Sequence, residues 1–288
     1  MKIIEILFPV FALVVVGYLY GRRYRPNLQA VNQLMLFVFV PALVFDVMSR
    51  RNFQVMEYQW LALAGVIVVL GSGIIAWPAG RALGYPQRAF LPTMMFNNCG
   101  NLGLPLALLA FGDKGLEGAV ILFLVSNLLH FTLGTWIFGG IISWKGLVLN
   151  PVNIATVAGL GVNFLQIRLP DFVLLPISML GQIVIPFMLI SLGVRMLSVK
   201  RADLGRGIVG SVVRPLSGFV PAMAAVWLLP LDVAQVSLLI LFATLPPAVL
   251  NFLFAEQYQQ DPELVASLVL VGNAMAVVTT ALVLWWLV

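Results

Sequence analysis

The chain has 288 residues, of which 61% are hydrophobic and only 9% are charged, with a formal net charge of +5. Soluble globular domains contain roughly 45–50% apolar and about 25% charged residues. This composition therefore excludes a water-soluble enzyme, a nucleic-acid-binding domain and a disordered chain. Because a helix of about 20 apolar residues spans a bilayer, the sequence predicts an all-α polytopic membrane protein surrounded by lipid.

Apolar runs separated by charged residues, Pro or Gly predict ten transmembrane helices, numbered here TM1 to TM10. The first run is too long for the apolar part of a signal peptide, and Arg22 and Arg23 follow it where small residues would mark a cleavage site. It is therefore interpreted as TM1. The predicted spans are Ile3–Gly21, Leu28–Met48, Trp60–Leu83, Phe90–Phe111, Leu116–Ser143, Val152–Gln166, Phe172–Leu197, Gly207–Leu229, Val233–Tyr258 and Leu264–Val288.

Lys and Arg residues are distributed unevenly between the predicted loops. Ten of the 16 belong to odd-numbered loops, with Arg195 counted among them, and five lie at the N-terminus and in even-numbered loops. Cytoplasmic loops carry the excess of basic residues, so we expect the odd-numbered loops in the cytoplasm and both termini outside. The same distribution accounts for the net positive charge without a nucleic-acid partner.

The two halves of the chain show a weak internal repeat. Phe39–Leu43 in TM2 corresponds to Val184–Met188 in TM7, and Asn127 in TM5 corresponds to Asn273 in TM10, at offsets of 145 and 146 residues. Each copy has an odd number of helices, so the second copy must enter the membrane from the opposite face, as in secondary transporters. The predicted units are the first inverted repeat, 1–143 (TM1–TM5), a short cytoplasmic linker, 144–150, and the second inverted repeat, 151–288 (TM6–TM10).

TM4 and TM9 both contain residues that interrupt a helix. Pro246 and Pro247 interrupt TM9, and Gly costs about 1 and Pro about 3 kcal/mol in a helix interior. We therefore predict that TM4 and TM9 are broken helices that cross near the middle of the membrane. The alternatives are a polar packing seam in TM4 that binds no ligand and a simple proline kink in TM9. The interrupting residues of TM4 are three amides, two glycines and a proline: Asn97, Asn98, Asn101, Gly100, Gly103 and Pro105.

A broken helix leaves unpaired N–H groups that suit an anion and unpaired carbonyls that suit a cation or proton donor. We expect asparagines near the crossing to orient and hydrogen-bond a carboxylate with micromolar-to-millimolar affinity, about −4 to −8 kcal/mol. Arg214 either attracts the substrate, locks a conformation by pairing with a carboxylate, or extends its charge to the cytoplasmic interface. The predicted substrate-binding residues are Asn97, Asn98, Asn101, Asn127, Thr244, Asn251, Asn273 and Arg214.

Four other polar residues inside predicted spans are candidates for coupling transport to a proton or sodium ion. His130 either takes up a proton or bonds a neighbouring helix, and Glu256 is either a proton carrier or an interfacial residue. Asp46 lies close in sequence to Arg50, which favours a structural ion pair. The sequence lacks metal-ligand and nucleotide-binding motifs, so we expect no metal, no cofactor and no enzymatic activity. The four candidates are His130, Glu256, Asp46 and Gln182.

The stretch from Asn97 to Leu106, the Pro-containing break in TM9 and the ten spans resemble the auxin efflux carrier family. This family includes plant PIN proteins and bacterial carboxylate transporters. The resemblance implies a fold similar to sodium/proton antiporters, with a scaffold of TM1, TM2, TM6 and TM7 and a moving transport domain of TM3–TM5 and TM8–TM10. It also implies elevator-type transport of small organic anions, often by a homodimer.

Plant members of that family have a long hydrophilic central loop, whereas here only Trp144–Asn150 joins the halves. This difference favours a bacterial inner-membrane member that carries malonate, malate or another carboxylate over a phosphoregulated auxin carrier. One alternative function is a sodium- or proton-coupled symporter or antiporter of the same fold with a cation as cargo. Such proteins usually have carboxylates at the crossing, where this sequence has amides. Another alternative is a membrane sensor that binds a ligand without transporting it.

Overall fold

The computed structural model describes residues 2–142, 144–197 and 204–287. Lys200 and Arg201, counted above with the odd-numbered loops, lie outside the described residues. Over the described residues the secondary structure is helical, apart from one isolated bridge between Asn97 and Pro247. The α-helices are α1 (Lys2–Tyr24), α2 (Gln29–Leu34), α3 (Val40–Ser49), α4 (Gln59–Ala82), α5 (Gln87–Met95), α6 (Leu104–Leu129), α7 (Thr135–Gly139), α8 (Trp144–Val148), α9 (Pro151–Phe164), α10 (Asp171–Met196), α11 (Leu204–Leu228), α12 (Val233–Thr244), α13 (Val249–Tyr258) and α14 (Pro262–Leu287).

Short helical segments extend several of these helices. Met35–Phe39, Cys99–Gly103 and His130–Gly134 are π-helical, and Val55–Tyr58 is a 3₁₀ turn. Within the described chain, six continuous segments are long and apolar enough to cross a membrane, fewer than the ten predicted spans. These segments are Gln29–Ser49, Val55–Ala82, Cys99–Gly139, Asp171–Met196, Leu204–Leu228 and Pro262–Leu287.

The difference from ten arises partly from short and interrupted helices. The predicted TM6 corresponds to α9, whose 14 residues extend about 21 Å at 1.5 Å per residue and fall short of a hydrocarbon core of about 30 Å. The predicted TM9 is divided into α12 and α13, so neither half reaches spanning length alone. We call residues 245–248, between these halves, the second unwound segment.

The predicted TM4 is likewise divided. Helix α5 ends at Met95 and helical backbone resumes at Cys99, so residues 96–98 form the first unwound segment. The boundary between TM4 and TM5 falls inside α6, where Gly112 has φ 68° and ψ −159°. Glycine adopts a positive φ at no steric cost, so this residue lets two helices meet without an intervening loop.

The helices pack in two recognisable sets. Helix α1 lies against α10, and α3 lies against both α9 and α10. In the other set, α11 packs on α4, α12 and α14. Glycine at positions 17 and 193 allows α1 and α10 to approach closely, since a Cβ at either position would overlap the facing backbone. Small residues commonly allow such close approach between membrane helices.

Candidate functional site

The two unwound segments contact each other through their backbones. The N–H of Asn98 donates to the carbonyl of Pro246 at 2.7 Å, and the N–H of Ala248 donates to the carbonyl of Phe96 at 3.0 Å. Proline offers no backbone donor, and unpaired backbone groups away from water are costly. The segments therefore satisfy backbone groups that neither could pair within its own helix.

The side chains of Asn98 and Asn273 join the unwound segments to α14. The Asn98 Nδ2 donates to Asn273 Oδ1 at 2.6 Å. The Asn273 Nδ2 in turn donates to the carbonyls of Pro247 at 2.9 Å and Val269 at 2.8 Å. Asn273 thus accepts from the first unwound segment and donates to the second, which makes it a structural link between them.

Two further amides bond across the crossing but leave oxygen atoms unused. The Nδ2 of Asn97 donates to the carbonyl of Phe242, and the Nδ2 of Asn251 donates to that of Phe96. Both asparagines are buried, and their Oδ1 atoms have no hydrogen-bond partner within the described part of the chain. Unpaired buried acceptors cost about 1–3 kcal/mol each. The Asn97 oxygen is therefore available to a donor that the described residues do not supply, whereas the Asn251 amide has the His130 imidazole beside it.

Arg214 belongs to α11, and its side chain reaches the C-terminal end of α12. Its side chain is fully buried, which contradicts the alternative in which the charge reaches the membrane interface, and Nη1 donates to the carbonyl of Ala243 at 3.1 Å. The last carbonyls of a helix lack intrahelical donors, and a positive charge there is favourable. Arg214 therefore stabilises the carbonyl end of the broken helix.

A cavity of about 420 Å³ lies beside the first unwound segment. Four of the eight predicted substrate-binding residues line it, together with Gly100 and His130: Asn97, Asn98, Asn101 and Asn127. The other four predicted residues lie outside this cavity: Thr244, Asn251, Asn273 and Arg214. Of these, Thr244 is turned inward and donates to the carbonyls of Ile240 and Leu241 in its own helix.

The polar groups of this cavity differ in how far the protein satisfies them. Asn127 donates from Nδ2 to Asn153 Oδ1 over 3.4 Å, a long hydrogen bond, whereas the Asn101 amide has no protein partner among the described residues. Cys99, Gly100 and Asn101 also begin the helical turn that follows the break, and the first N–H groups of a helix lack intrahelical acceptors. This corner of the cavity therefore offers donors to an anion.

Residues predicted to hold the breaks occupy distinct positions. Gly103 is in the π-helical turn, where a Cβ would approach Leu245 Cδ1 to 2.8 Å, and Pro105 follows in the first turn of α6. Pro246 and Pro247 lie within the second unwound segment itself. The first unwound segment contains no Gly or Pro; its Asn97 and Asn98 instead bond to the neighbouring segments.

Sequence reasoning missed the arginine that lines the cavity. Arg195 was counted as a loop residue, but it lies in the last turn of α10, and its Nη2 donates to Asn32 Oδ1 at 2.8 Å. Both residues line the cavity. No described carboxylate lies within ion-pair distance of Arg195. The signal was available, because Met188, Leu192 and Arg195 have the i, i+4, i+7 spacing of one helix face.

The four coupling candidates lie in different environments. His130 lines the cavity, and its ring stacks on Phe96 at a centroid distance of 4.1 Å. The His130 Nε2 is buried and makes no hydrogen bond of ordinary geometry with the described residues, but the Asn251 amide lies beside the ring. The remaining candidates lie outside the cavity: Asp46 pairs with Arg50 at 2.9 Å, Gln182 is exposed near Ser178, and Glu256 is exposed on α13.

A second group of polar contacts connects the helices at the end remote from Arg195. The buried Glu117 accepts from Tyr58 at 2.7 Å and from Lys114 at 3.0 Å. In the same region Asn163 donates to the carbonyls after α3, and Gln235 donates to that of Glu57. Asn32 and Arg50 lie at opposite ends of the helical stretch Gln29–Ser49, so these contacts are remote from the Arg195 end of the cavity.

A polytopic helical protein in which two discontinuous helices meet beside a polar cavity has the architecture of a membrane transporter. The family described as membrane transport protein matches residues 2–141 and 136–284. The chain therefore belongs to this family, the auxin efflux carrier family, as the motif around Asn97 to Leu106 indicated.

Three relatives illustrate the range of the family. An uncharacterized transporter of Methanocaldococcus jannaschii is 24% identical over 98% of this chain and 97% of its own length. A putative malonate transporter of Rhizobium meliloti is 24% identical over 96% of this chain and 93% of its own length. Auxin efflux carrier component 8 of Arabidopsis thaliana is 30% identical over 48% of this chain and 40% of its own length. The family and these relatives are membrane transporters, not enzymes.

Proposed function

We propose that the chain is a secondary active transporter of small organic anions, which moves carboxylates such as malonate, malate or auxin-like acids by elevator-type alternating access. The observation that carries this proposal is the charge of the cavity. Its described lining contains Arg195, several amides and His130 but no Asp or Glu. Such a lining favours an anion, whereas binding a metal cation requires oxygen ligands that usually include carboxylates.

We further propose that the fold has ten membrane helices in two inverted repeats, residues 1–143 and 151–288, connected by the linker 144–150. Each half contributes one unwound segment, and the two segments bond to each other, as expected for broken helices that cross near mid-membrane. The packing of α1 and α3 on α10 supports a scaffold made of TM1, TM2, TM6 and TM7. The packing of α11 on α4 and α14 supports a separate transport domain made of TM3–TM5 and TM8–TM10.

The position of the cavity supports a state that faces the cytoplasm. Asn32 and Arg195 lie near odd-numbered loops, and residues 146 and 149–151 of the linker region also line the cavity. By the excess of basic residues these loops are cytoplasmic, with both termini outside. The contacts of Glu117 and Asn163 then close the outer side. We propose the bacterial inner membrane as the location and a homodimer as the assembly.

Coupling to a proton or sodium ion completes the proposal. His130 is the titratable imidazole in the described lining of the cavity, and this position beside the Asn251 amide supports a role in proton coupling. The absence of carboxylates from the described lining weighs against a cation as the main cargo. Coupling and cargo are distinguished by measuring flux with imposed proton or sodium gradients.

The proposal is tested by malonate uptake into proteoliposomes that contain the purified chain. We expect saturable uptake in the micromolar-to-millimolar range, and at least a tenfold loss in Asn101→Ala because a substrate hydrogen bond to this free amide is removed. Asn52→Ala is the matched control, since Asn52 is exposed and outside the cavity. Binding of carboxylates without flux would instead support the sensor, and the absence of both would overturn the proposal.

A further inference from the structure

The cavity has two separate features that attract anions. One is the corner formed by Asn101 and the helical turn that starts at Cys99, where amide and backbone donors are available. The other is Arg195, which projects from α10. A helical side chain leans toward the N-terminus of its helix, so the guanidinium of Arg195 lies over the preceding turn, toward the interior of the protein.

The environment of Arg195 leaves its charge without a counter-charge. Among the described residues its hydrogen-bond partner is the neutral amide of Asn32, and no carboxylate is within 4 Å. A guanidinium has five N–H donors in a planar fork that matches a carboxylate. The single bond to Asn32 orients this fork and leaves other donors for a ligand. A second cavity of about 290 Å³ also borders Arg195, so the side chain is not enclosed by packed apolar groups.

The distance along α10 gives the cavity room for a ligand with two charged ends. Met188 and Arg195 both line it and are two helical turns, about 10 Å, apart. Helix α10 also packs against the helical turn at Cys99–Gly103, so the two anion-attracting features face one shared space. A monocarboxylate carries a charge for one of these features, whereas a dicarboxylate carries one charge for each.

We infer that Arg195, oriented by Asn32, binds the second carboxylate of a dicarboxylate whose first carboxylate binds at Asn101 and the adjoining helix start. This inference rests on the proposed function and specifies its substrate class as dianions. Arg195 acts as the specificity-determining residue, because a ligand with an uncharged second end gains no ion pair there. The site thereby discriminates by charge between molecules of nearly equal size.

The test measures affinities of the purified full-length chain for matched pairs of short-chain dicarboxylates and their monoamides, beginning with malonate and malonamate. In the wild type we expect the dicarboxylate to bind about 10–100-fold more tightly, the range of one charge-assisted hydrogen-bonded pair. Arg195→Gln is expected to reduce malonate affinity by about the same factor and to change malonamate affinity less than about threefold.

A second variant retains the arginine and changes only its partner. Asn32→Asp supplies a carboxylate at the position of an oxygen that already lies 2.8 Å from Arg195 Nη2, so an internal ion pair replaces the one with substrate. We expect the same loss of preference for dicarboxylates. Arg22→Gln is the matched control, because it removes one positive charge from the exposed end of α1 and should leave the preference unchanged.

Several outcomes would overturn the inference. If both variants keep the wild-type preference for dicarboxylates, Arg195 does not bind the second carboxylate. The same conclusion follows if folded Arg195→Gln loses affinity equally for both members of each pair. If the wild type transports both monocarboxylates and dicarboxylates and binds them with equal affinity, the inference fails while the proposed function stands. If the wild type neither binds nor carries any of them, both fail.

Discussion

The pair formed by Asn98 and Asn273 gives a quantitative test of how the two unwound segments are held together. Both side chains are buried, and the bond from Asn98 Nδ2 to Asn273 Oδ1 is 2.6 Å long. Asn273 also donates to Pro247 and Val269, so Asn273→Ala removes three hydrogen bonds and Asn98→Ala removes one. The two substitutions should therefore have unequal effects on the free energy of unfolding.

The magnitudes follow from the number of partners left unpaired. A net hydrogen bond contributes about 1 kcal/mol, and an orphaned buried partner costs about 1–3 kcal/mol. The Val269 carbonyl is one turn back in the same helix and keeps its helical donor. Losing the hydrogen bond from Asn273 to this carbonyl therefore costs little. We expect a loss of stability of about 2–4 kcal/mol for Asn273→Ala and about 1–2 kcal/mol for Asn98→Ala.

The double variant isolates the bond between the two side chains. Because the shared bond is lost only once, the sum of the single effects should exceed the double effect by about 0.6–1.7 kcal/mol, the range of such pairs within membranes. The measurement is reversible unfolding of the four proteins in the same detergent. Effects that add to within about 0.3–0.5 kcal/mol, or a larger loss for Asn98→Ala than for Asn273→Ala, would refute the reasoning.

Three other predictions test the packing of the crossing, access to the cavity and the contacts at the end of the helices remote from Arg195. Gly272→Ala should destabilise the chain by about 1–3 kcal/mol, because its Cβ would lie 2.8 Å from the rigid ring of Pro247; Gly161→Ala, with open space around it, should be neutral or stabilising in the same melting assay. Cys99, the one cysteine of the sequence, is buried and lines the cavity, so a small maleimide must enter the cavity to react and bound malonate should slow its labelling. Measurable labelling at equal rates with and without malonate would exclude binding beside it. Asn163→Ala should cost about 1–3 kcal/mol in chemical unfolding, since it removes the donor of the Phe53 carbonyl, while the Arg50 carbonyl keeps the Phe53 N–H.

The breaks in the helices were accessible to sequence reasoning because their causes are local. Pro246 and Pro247 lack backbone donors, and the three asparagines after Phe96 form an unusually polar stretch for an apolar span. These properties depend on neighbours in the chain and not on packing. The position of Gly112, which allows two helices to meet without a loop, depends on local conformation too, and TM4 was predicted to end one residue before it.

The sides on which polar residues lie were harder to predict because they depend on how each half-helix is rotated. Thr244 turns back onto its own helix, whereas Asn101 faces the cavity, although both are next to breaks. For the arginines, depth along a span proved misleading. Arg214, deep in its span, stabilises the end of α12, and Arg195, near the end of its span, lines the cavity. The helix face on which each arginine lies, and not its depth, distinguishes these two positions.

Most polar groups of the cavity are neutral, which affects how easily a carrier changes its orientation without a bound substrate. A charge transferred from water to an apolar interior costs several kcal/mol unless it is paired, whereas an unpaired amide costs about 1–3 kcal/mol. In the proposed elevator mechanism, amides such as Asn97, Asn98 and Asn101 on the proposed transport domain therefore keep the empty state accessible. Arg195 belongs to α10, which lies in the proposed scaffold, so its charge does not have to cross the membrane with the substrate. A dianion consequently gains the ion pair only while the site faces the Arg195 end, and Arg195→Gln should equalise the KM values measured from the two sides.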